Sequence, residues 1–187
     1  SRNISSASGI EHLVALTTLK IYDNSLSTID ISNNTALIEL NLNGNSLSSL
    51  DISSNTALTN LEISNYSNYA SKNSLSVLDL SNNTALTELA VARNNLSTID
   101  VSTNIALLRL DLEDNNLSSI DVSNNTALLH LHVNENNLSS IDVSNNNALT
   151  WLEVSDNNLS SLNISNNTAL SSLELNLNNL SSIDVSN

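Results

Sequence analysis

The words NNLSSIDVSNN stand at residues 115–125 and again, unchanged, at residues 136–146. This recurrence runs along the whole chain. Aligned on an Ala-Leu pair, the units place Leu16, Leu37, Leu58, Leu86, Leu107, Leu128, Leu149 and Leu170 at one position. Every step is 21 residues except Leu58 to Leu86, which is 28. Units this short cannot each enclose a core, so they must stack, and residues 1–187 read as one repetitive domain of about eight units. The seven additional residues fall within SNYSNYASKN, Ser64 to Asn73. They read as a polar loop, because the periodic residues resume at Leu75.

Each unit has two similar halves. The first reads LxLxxNxL, as in Leu40, Leu42, Asn45 and Leu47, and the second LDIxxNxAL, as in Leu50, Ile52, Asn55, Ala57 and Leu58. Both alternate apolar and polar residues at period two and then turn at an Asn, which is the pattern of short strands and not of helices. Two strands and two corners per coil predict a flattened, right-handed solenoid, mostly β, with a parallel sheet on each broad face and little or no α-helix. Coils about 4.8 Å apart would make a rod roughly 40 Å long. The chain has no Cys, Met, Phe or Pro, so its core must be aliphatic, each inward Leu, Ile or Val contributing roughly 1.5–3 kcal/mol by burial.

Two Asn columns mark the corners. One is Asn24, Asn45, Asn73, Asn94, Asn115, Asn136, Asn157 and Asn178; the other is Asn34, Asn55, Asn83, Asn104, Asn125, Asn146 and Asn167. Where backbone leaves a sheet its amides need partners, and an inward-turned Asn can supply them and bond to its copy in the next coil.

The pattern LxxLxLxxNxL, as in LLRLDLEDNNL (Leu107 to Leu117), resembles the leucine-rich repeat (LRR) family. The 21-residue unit with LDVSxNxAL on its reverse side is similar to repeats of bacterial secreted and cell-surface proteins. SASGIEHLVALTTLKI (Ser6 to Ile21) resembles the opening repeats of the internalin-like group. The resemblance covers essentially the whole chain. It implies a binding protein whose variable strand residues form the recognition face. The chain departs from the usual family pattern in lacking core Cys and Phe and obvious caps.

The repeats also align the protein with itself. On the LxxLxLxx strand the outward positions vary, and on the reverse strand they scarcely do: Asp30, Asp51, Asp79, Asp100, Asp121, Asp142, Asn163 and Asp184. Candidate ligand-binding residues on the variable face are Lys20, Tyr22, Glu39, Glu88, Arg109, Asp111, Glu113, His130, His132, Trp151 and Glu153, joined by Tyr66, Tyr69 and Lys72 of the insertion. The preferred patch is Arg109, His130 and Trp151, consecutive in one column, because rigid amphipathic rings on a surface serve as recognition anchors. The Asp column poses a question of repulsion, since like charges one coil apart repel by roughly 1 kcal/mol in water. Neighbouring Ser hydroxyls and backbone donors, raised pKa values or bound cations could each offset it.

Other chemistries find less support. His130 and His132 could meet a divalent metal, but such a pair on an exposed strand is usually solvated, so no metal site or cofactor is expected. No GxSxG elbow, phosphate loop or HExxH occurs, and no enzyme activity is expected. A net charge of −14 disfavours nucleic acid and anionic membranes, and no apolar run reaches membrane-spanning length. Twelve N-glycosylation sequons occur, at Asn3, Asn33, Asn65, Asn82, Asn95, Asn116, Asn124, Asn137, Asn158, Asn163, Asn166 and Asn179. The expected function is a secreted or cell-surface binding module that recognises protein or glycan. The alternatives are a fibre-forming protein whose uncapped ends stack head to tail, and ice binding through Ser rows. DVSN, Asp184 to Asn187, stops in mid-repeat, and the chain is expected to be a module of a larger one.

Overall fold

The computed structural model describes residues 3–66 and 71–185. Eight three-residue strands form one parallel sheet: β1 (Thr18–Lys20), β2 (Glu39–Asn41), β3 (Asn60–Glu62), β4 (Glu88–Ala90), β5 (Arg109–Asp111), β6 (His130–His132), β7 (Trp151–Glu153) and β9 (Ser172–Glu174). Register follows the repeat, so Leu19, Leu40, Leu61, Leu89, Leu110, Leu131, Leu152 and Leu173 sit side by side across the sheet. The chain is thus an LRR β-solenoid with almost no helix; among the described residues the only helical piece is the 3-10 turn Ile10–His12. The aliphatic columns from both halves of each coil meet in a single continuous core.

The reverse side differs from expectation. Among the described residues a second sheet forms there only between β8 (Leu162–Asn163) and β10 (Ile183–Asp184). Elsewhere on that side the corner amides bond locally. In the second coil Ser53 N–H donates to Asp51 Oδ1, Asn55 N–H to the Ile52 carbonyl and Leu58 N–H to the Asn55 carbonyl. The coil that carries β8 makes the same turn, Ser165 N–H donating to Asn163 Oδ1 and Asn167 N–H to the Ile164 carbonyl, and there Ile164 N–H also reaches Asp184 of the next coil.

The two Asn columns divide the labour unequally. Asn115 Oδ1 accepts from the Leu96 N–H of the preceding coil, while its Nδ2 donates to the carbonyls of Val91 and Leu112. Asn45, Asn73, Asn94, Asn136, Asn157 and Asn178 likewise accept an amide from the coil before, and Asn24 accepts Ile4 N–H. None of these bonds runs to the copy in the next coil, because the side chain reaches backbone first. In the second column the amide donates twice, Asn125 Nδ2 reaching the carbonyls of Val101 and of its own copy Asn104. Its Oδ1 is buried with no hydrogen-bond partner, as are those of Asn34, Asn55, Asn83, Asn104, Asn146 and Asn167.

Residues before the first column take left-handed backbone: Asp23, Gly44, Arg93, Asp114, Glu135, Asp156 and Leu177 have φ between 52° and 60°. The third coil is the exception. There Asn65 stands at that position and the seven residues 66–72 are inserted before the ladder residue Asn73. Asn65 closes the base of the insertion, accepting Asn73 N–H on Oδ1 and donating from Nδ2 to the carbonyls of Asn73 and Arg93.

Candidate ligand-binding face

In-register stacking sets Arg109 beside His130 and His130 beside Trp151, and Asp111 beside His132 and His132 beside Glu153. The rings make one cluster. Trp151 meets His130 edge to face at 5.8 Å and leans over His132 at 5.0 Å, and the two imidazoles lie nearly parallel, 6.4 Å apart. Trp151 keeps 37% of its surface exposed, an apolar ring braced from below.

Two of these outward positions are not exposed. Asp111 and His132 each retain only 7% of their surface. Period two aims both away from the core, yet both are covered, His132 by the Trp151 ring that leans over it. Burial pushes the His132 imidazole below its ordinary value, against the pull of Glu153 and Asp111. The Glu153 carboxylate lies 3.9 Å from its Nδ1, and Nε2 is buried without a hydrogen-bond partner. Burial likewise pushes the Asp111 carboxyl up, offset in part by the Glu113 N–H that donates to Oδ1 at 3.3 Å. The Arg109 guanidinium stands 3.9 Å from Asp111 Oδ2, outside hydrogen-bond distance.

The remaining candidates scatter. Lys20 pairs with Glu39 at 2.6 Å, which raises the Lys20 pKa, and Tyr22 beside them is 54% exposed. Glu113 holds Arg93 at 2.9 Å, and Glu88 accepts from Asn60 Nδ2. Lys72 is exposed and Tyr69 lies outside the described residues. Tyr66 is brought onto the face, where burial is the chief influence raising its phenol pKa, with Asp111, Glu62 and Arg109 as charged neighbours. Together Glu62, Tyr66, Glu88, Ala90, Arg109 and Asp111 line a cavity of about 230 Å³. Glu62 and Ala90 are absent from the candidates drawn from sequence. The available signal was Ala90, the one small residue in a column of longer ones (Lys20, Asn41, Glu62, Ala90, Asp111, His132, Glu153, Glu174).

On the reverse side the first six Asp of the column, Asp30 to Asp142, accept from the Ser two residues on. Asp51 Oδ1 takes both Ser53 N–H and Ser53 Oγ–H, at 2.9 and 2.7 Å, and Asp30, Asp79, Asp100, Asp121 and Asp142 take the equivalent amide. These donors hold the carboxyls below the ordinary Asp value. The raised values considered from like-charge spacing therefore do not arise. Among the sequons Asn65 also needs correction: it is 1% exposed with its side-chain amide fully engaged, so the sequence rule selects a buried corner residue there. The other eleven sequon asparagines are exposed.

Among the described residues no group of three or more His, Asp or Glu is arranged to hold a metal ion, and no helix is long and apolar enough to cross a membrane. No protein-family profile and no curated protein sequence matches the chain. Solved structures do. The functional domain of InlJ from Listeria monocytogenes, which includes a cysteine ladder, is 37% identical with a TM-score of 0.92 over 97% of this chain and 39% of its own. The internalin InlF of Listeria monocytogenes is 24% identical, TM-score 0.85, over 97% of this chain and 54% of its own. The plant peptide hormone receptor RGFR1, solved in complex with RGF2, is 27% identical, TM-score 0.82, over 96% of this chain and 31% of its own. The chain thus spans less than two thirds of each. Where the InlJ domain has a cysteine ladder, this chain has no Cys at all and builds its ladders from Asn.

Proposed function

From the premise that this chain is an internalin-like leucine-rich-repeat solenoid, we propose that it is a non-catalytic protein-binding module of a secreted or cell-surface protein, docking its ligand on the variable strand face around Trp151. The observation that carries this reading is the Trp151 ring, half open to solvent and fixed in place by His130 and His132 on the neighbouring strand. A surface aromatic held rigid loses little side-chain entropy on binding, which is what a recognition anchor needs. Arg109 and Glu153 flank it with charge of both signs, suited to a polar rim around an apolar centre. The complex of RGFR1 with RGF2 supports the idea that a solenoid of this shape can hold a peptide partner.

The test is a selection of randomised displayed peptides against the purified chain, run beside a glycan array. Peptides should be recovered that bind the native chain and lose about tenfold or more in affinity to a variant carrying Arg109→Ala, His130→Ala and Trp151→Ala, with circular dichroism unchanged. Binders indifferent to the triple change would remove the site from this face. Glycans in place of peptides would keep the site and change the ligand class.

A further inference from the structure

The cavity beside the Trp151 cluster has its own chemistry. It exists because the second outward column collapses to a methyl group at Ala90, between Glu62 on β3 and Asp111 on β5, and Ala92 two residues on is also small. The gap is one coil wide. The Ala90 methyl group lies at its floor, Tyr66 from the insertion forms one wall, and Glu62, Glu88 and Asp111 bring three carboxylates against the single guanidinium of Arg109. Two of the carboxylates are already aimed. Glu62 Oε2 is clamped by the Nδ2 groups of Asn41 and Asn43 at 2.8 and 2.9 Å, and Glu88 Oε2 by Asn60 Nδ2 at 3.0 Å. Asp111 is different. It is more than nine-tenths buried, its Oδ1 has one long bond from Glu113 N–H, and the Arg109 guanidinium stands 3.9 Å from Oδ2, outside hydrogen-bond distance. A carboxylate so nearly buried gains from a charged donor, and the cavity it lines is where such a donor can enter.

We propose that this cavity is a subsite for one cationic side chain, lysine or arginine, of the protein ligand. The aliphatic stem would lie along Ala90 and the Tyr66 ring, and the charged head would donate to Asp111 Oδ2 with Glu62 and Glu88 around it. An aromatic wall beside converging carboxylates suits an ammonium or guanidinium and repels an anion. The proposal deepens the protein-docking reading and rests on it for the identity of the ligand, but the subsite can be probed alone. Arg109 competes for Asp111, so removing its charge should strengthen the site; a merely structural role for Arg109 predicts no such gain.

The experiment is an amide-resolved NMR titration of the native chain with Nα-acetyl-lysine methylamide and Nα-acetyl-arginine methylamide, with the norleucine analogue as the uncharged control. Saturable shifts in the millimolar range at Glu62, Glu88, Ala90 and Asp111, absent with norleucine, are expected. Ala90→Leu should fill the floor and Asp111→Asn remove the negative charge, each weakening binding about tenfold, while Arg109→Gln should tighten it. Shifts spread equally over the exposed Asp column would mean general attraction to an acidic surface and overturn the proposal. So would equal shifts with magnesium chloride, which would make the cavity an inorganic cation site. Binding of the amides with no peptides selected on the Trp151 face would retain the subsite and sink the docking reading. Selected peptides with no Lys or Arg preference and no response to Ala90→Leu would do the reverse.

Discussion

A single asparagine in this protein is worth what its oxygen accepts. Asn115 Oδ1 is the acceptor of the buried Leu96 N–H, so Asn115→Ala orphans that group, at about 1–3 kcal/mol. Asn125 only donates, and both carbonyls it reaches have another donor, Asn104 N–H on Val101 and Leu107 N–H on Asn104. Asn125→Ala therefore orphans nothing and removes an unsatisfied oxygen, and urea unfolding should show it to be milder than Asn115→Ala by about 1–3 kcal/mol. The Asp column is tested in the same way. Asp51 ionises below the ordinary range because Ser53 donates twice, so the folded state binds its proton less tightly than the unfolded chain does. Its contribution to stability is complete above the unfolded pKa and is lost as pH falls through the lowered folded value. Carboxyl-carbon NMR should find Asp51 titrating low, and Ser53→Ala should move it upward; no movement would assign the shift to the backbone amide alone.

At the level of elements, the insertion interrupts one coil without altering the register on either side, since β3 pairs with β4 as regularly as β4 with β5. Deleting residues 66–72 would join Asn65 directly to Asn73, restoring the local pattern Ile63-Ser64-Asn-Asn-Ser-Leu that Val91–Leu96 follows. Asn65 would then take the left-handed backbone that Gly44 and Arg93 adopt in their coils, which Asn tolerates better than most residues. Thermal unfolding of the deletion should lie within roughly 1 kcal/mol of the parent, because shortening a loop changes closure entropy only slowly. A large loss would show that the insertion packs as part of the solenoid. The same deletion removes Tyr66 and should weaken lysine amide binding without abolishing it.

For the whole molecule, an array of contacts between neighbouring coils makes each buried charge felt along the stack. His132 is held in its neutral form by burial. Its folded pKa lies below the unfolded one, so the stability it contributes is complete above about 6.5 and is lost as pH falls through the lowered folded value. Asp111 has the opposite sign: its contribution is present below its unfolded pKa and lost as pH rises through the raised folded one. His132→Phe should flatten the decline in stability on mild acidification, and Asp111→Asn should leave that decline in place while stabilising the protein at neutral pH. Denaturation midpoints at four pH values would separate the two, and an unchanged slope in His132→Phe would place the acid sensitivity elsewhere.

The repeat by itself determined most of this protein. Period two, the Asn corners and the 21-residue step specify inward columns, coil stacking and the strand face, because each is a local rule applied eight times. It also separated the uniform reverse side from the variable front. Three things were decided only in three dimensions. Among the described residues the reverse side pairs as strands only in its last two coils, although the same period-two pattern and the same Asx–Ser turns run along the whole column, because a ladder depends on how the backbones of neighbouring coils are set against each other. Asp111 and His132 are buried although their parity points outward, because exposure depends on what the other coils set around a residue, such as the Trp151 ring over His132. The cavity at Ala90 arises because an insertion in one coil lies beside a short side chain of the next, a coincidence of separate sequence positions that only stacking brings together.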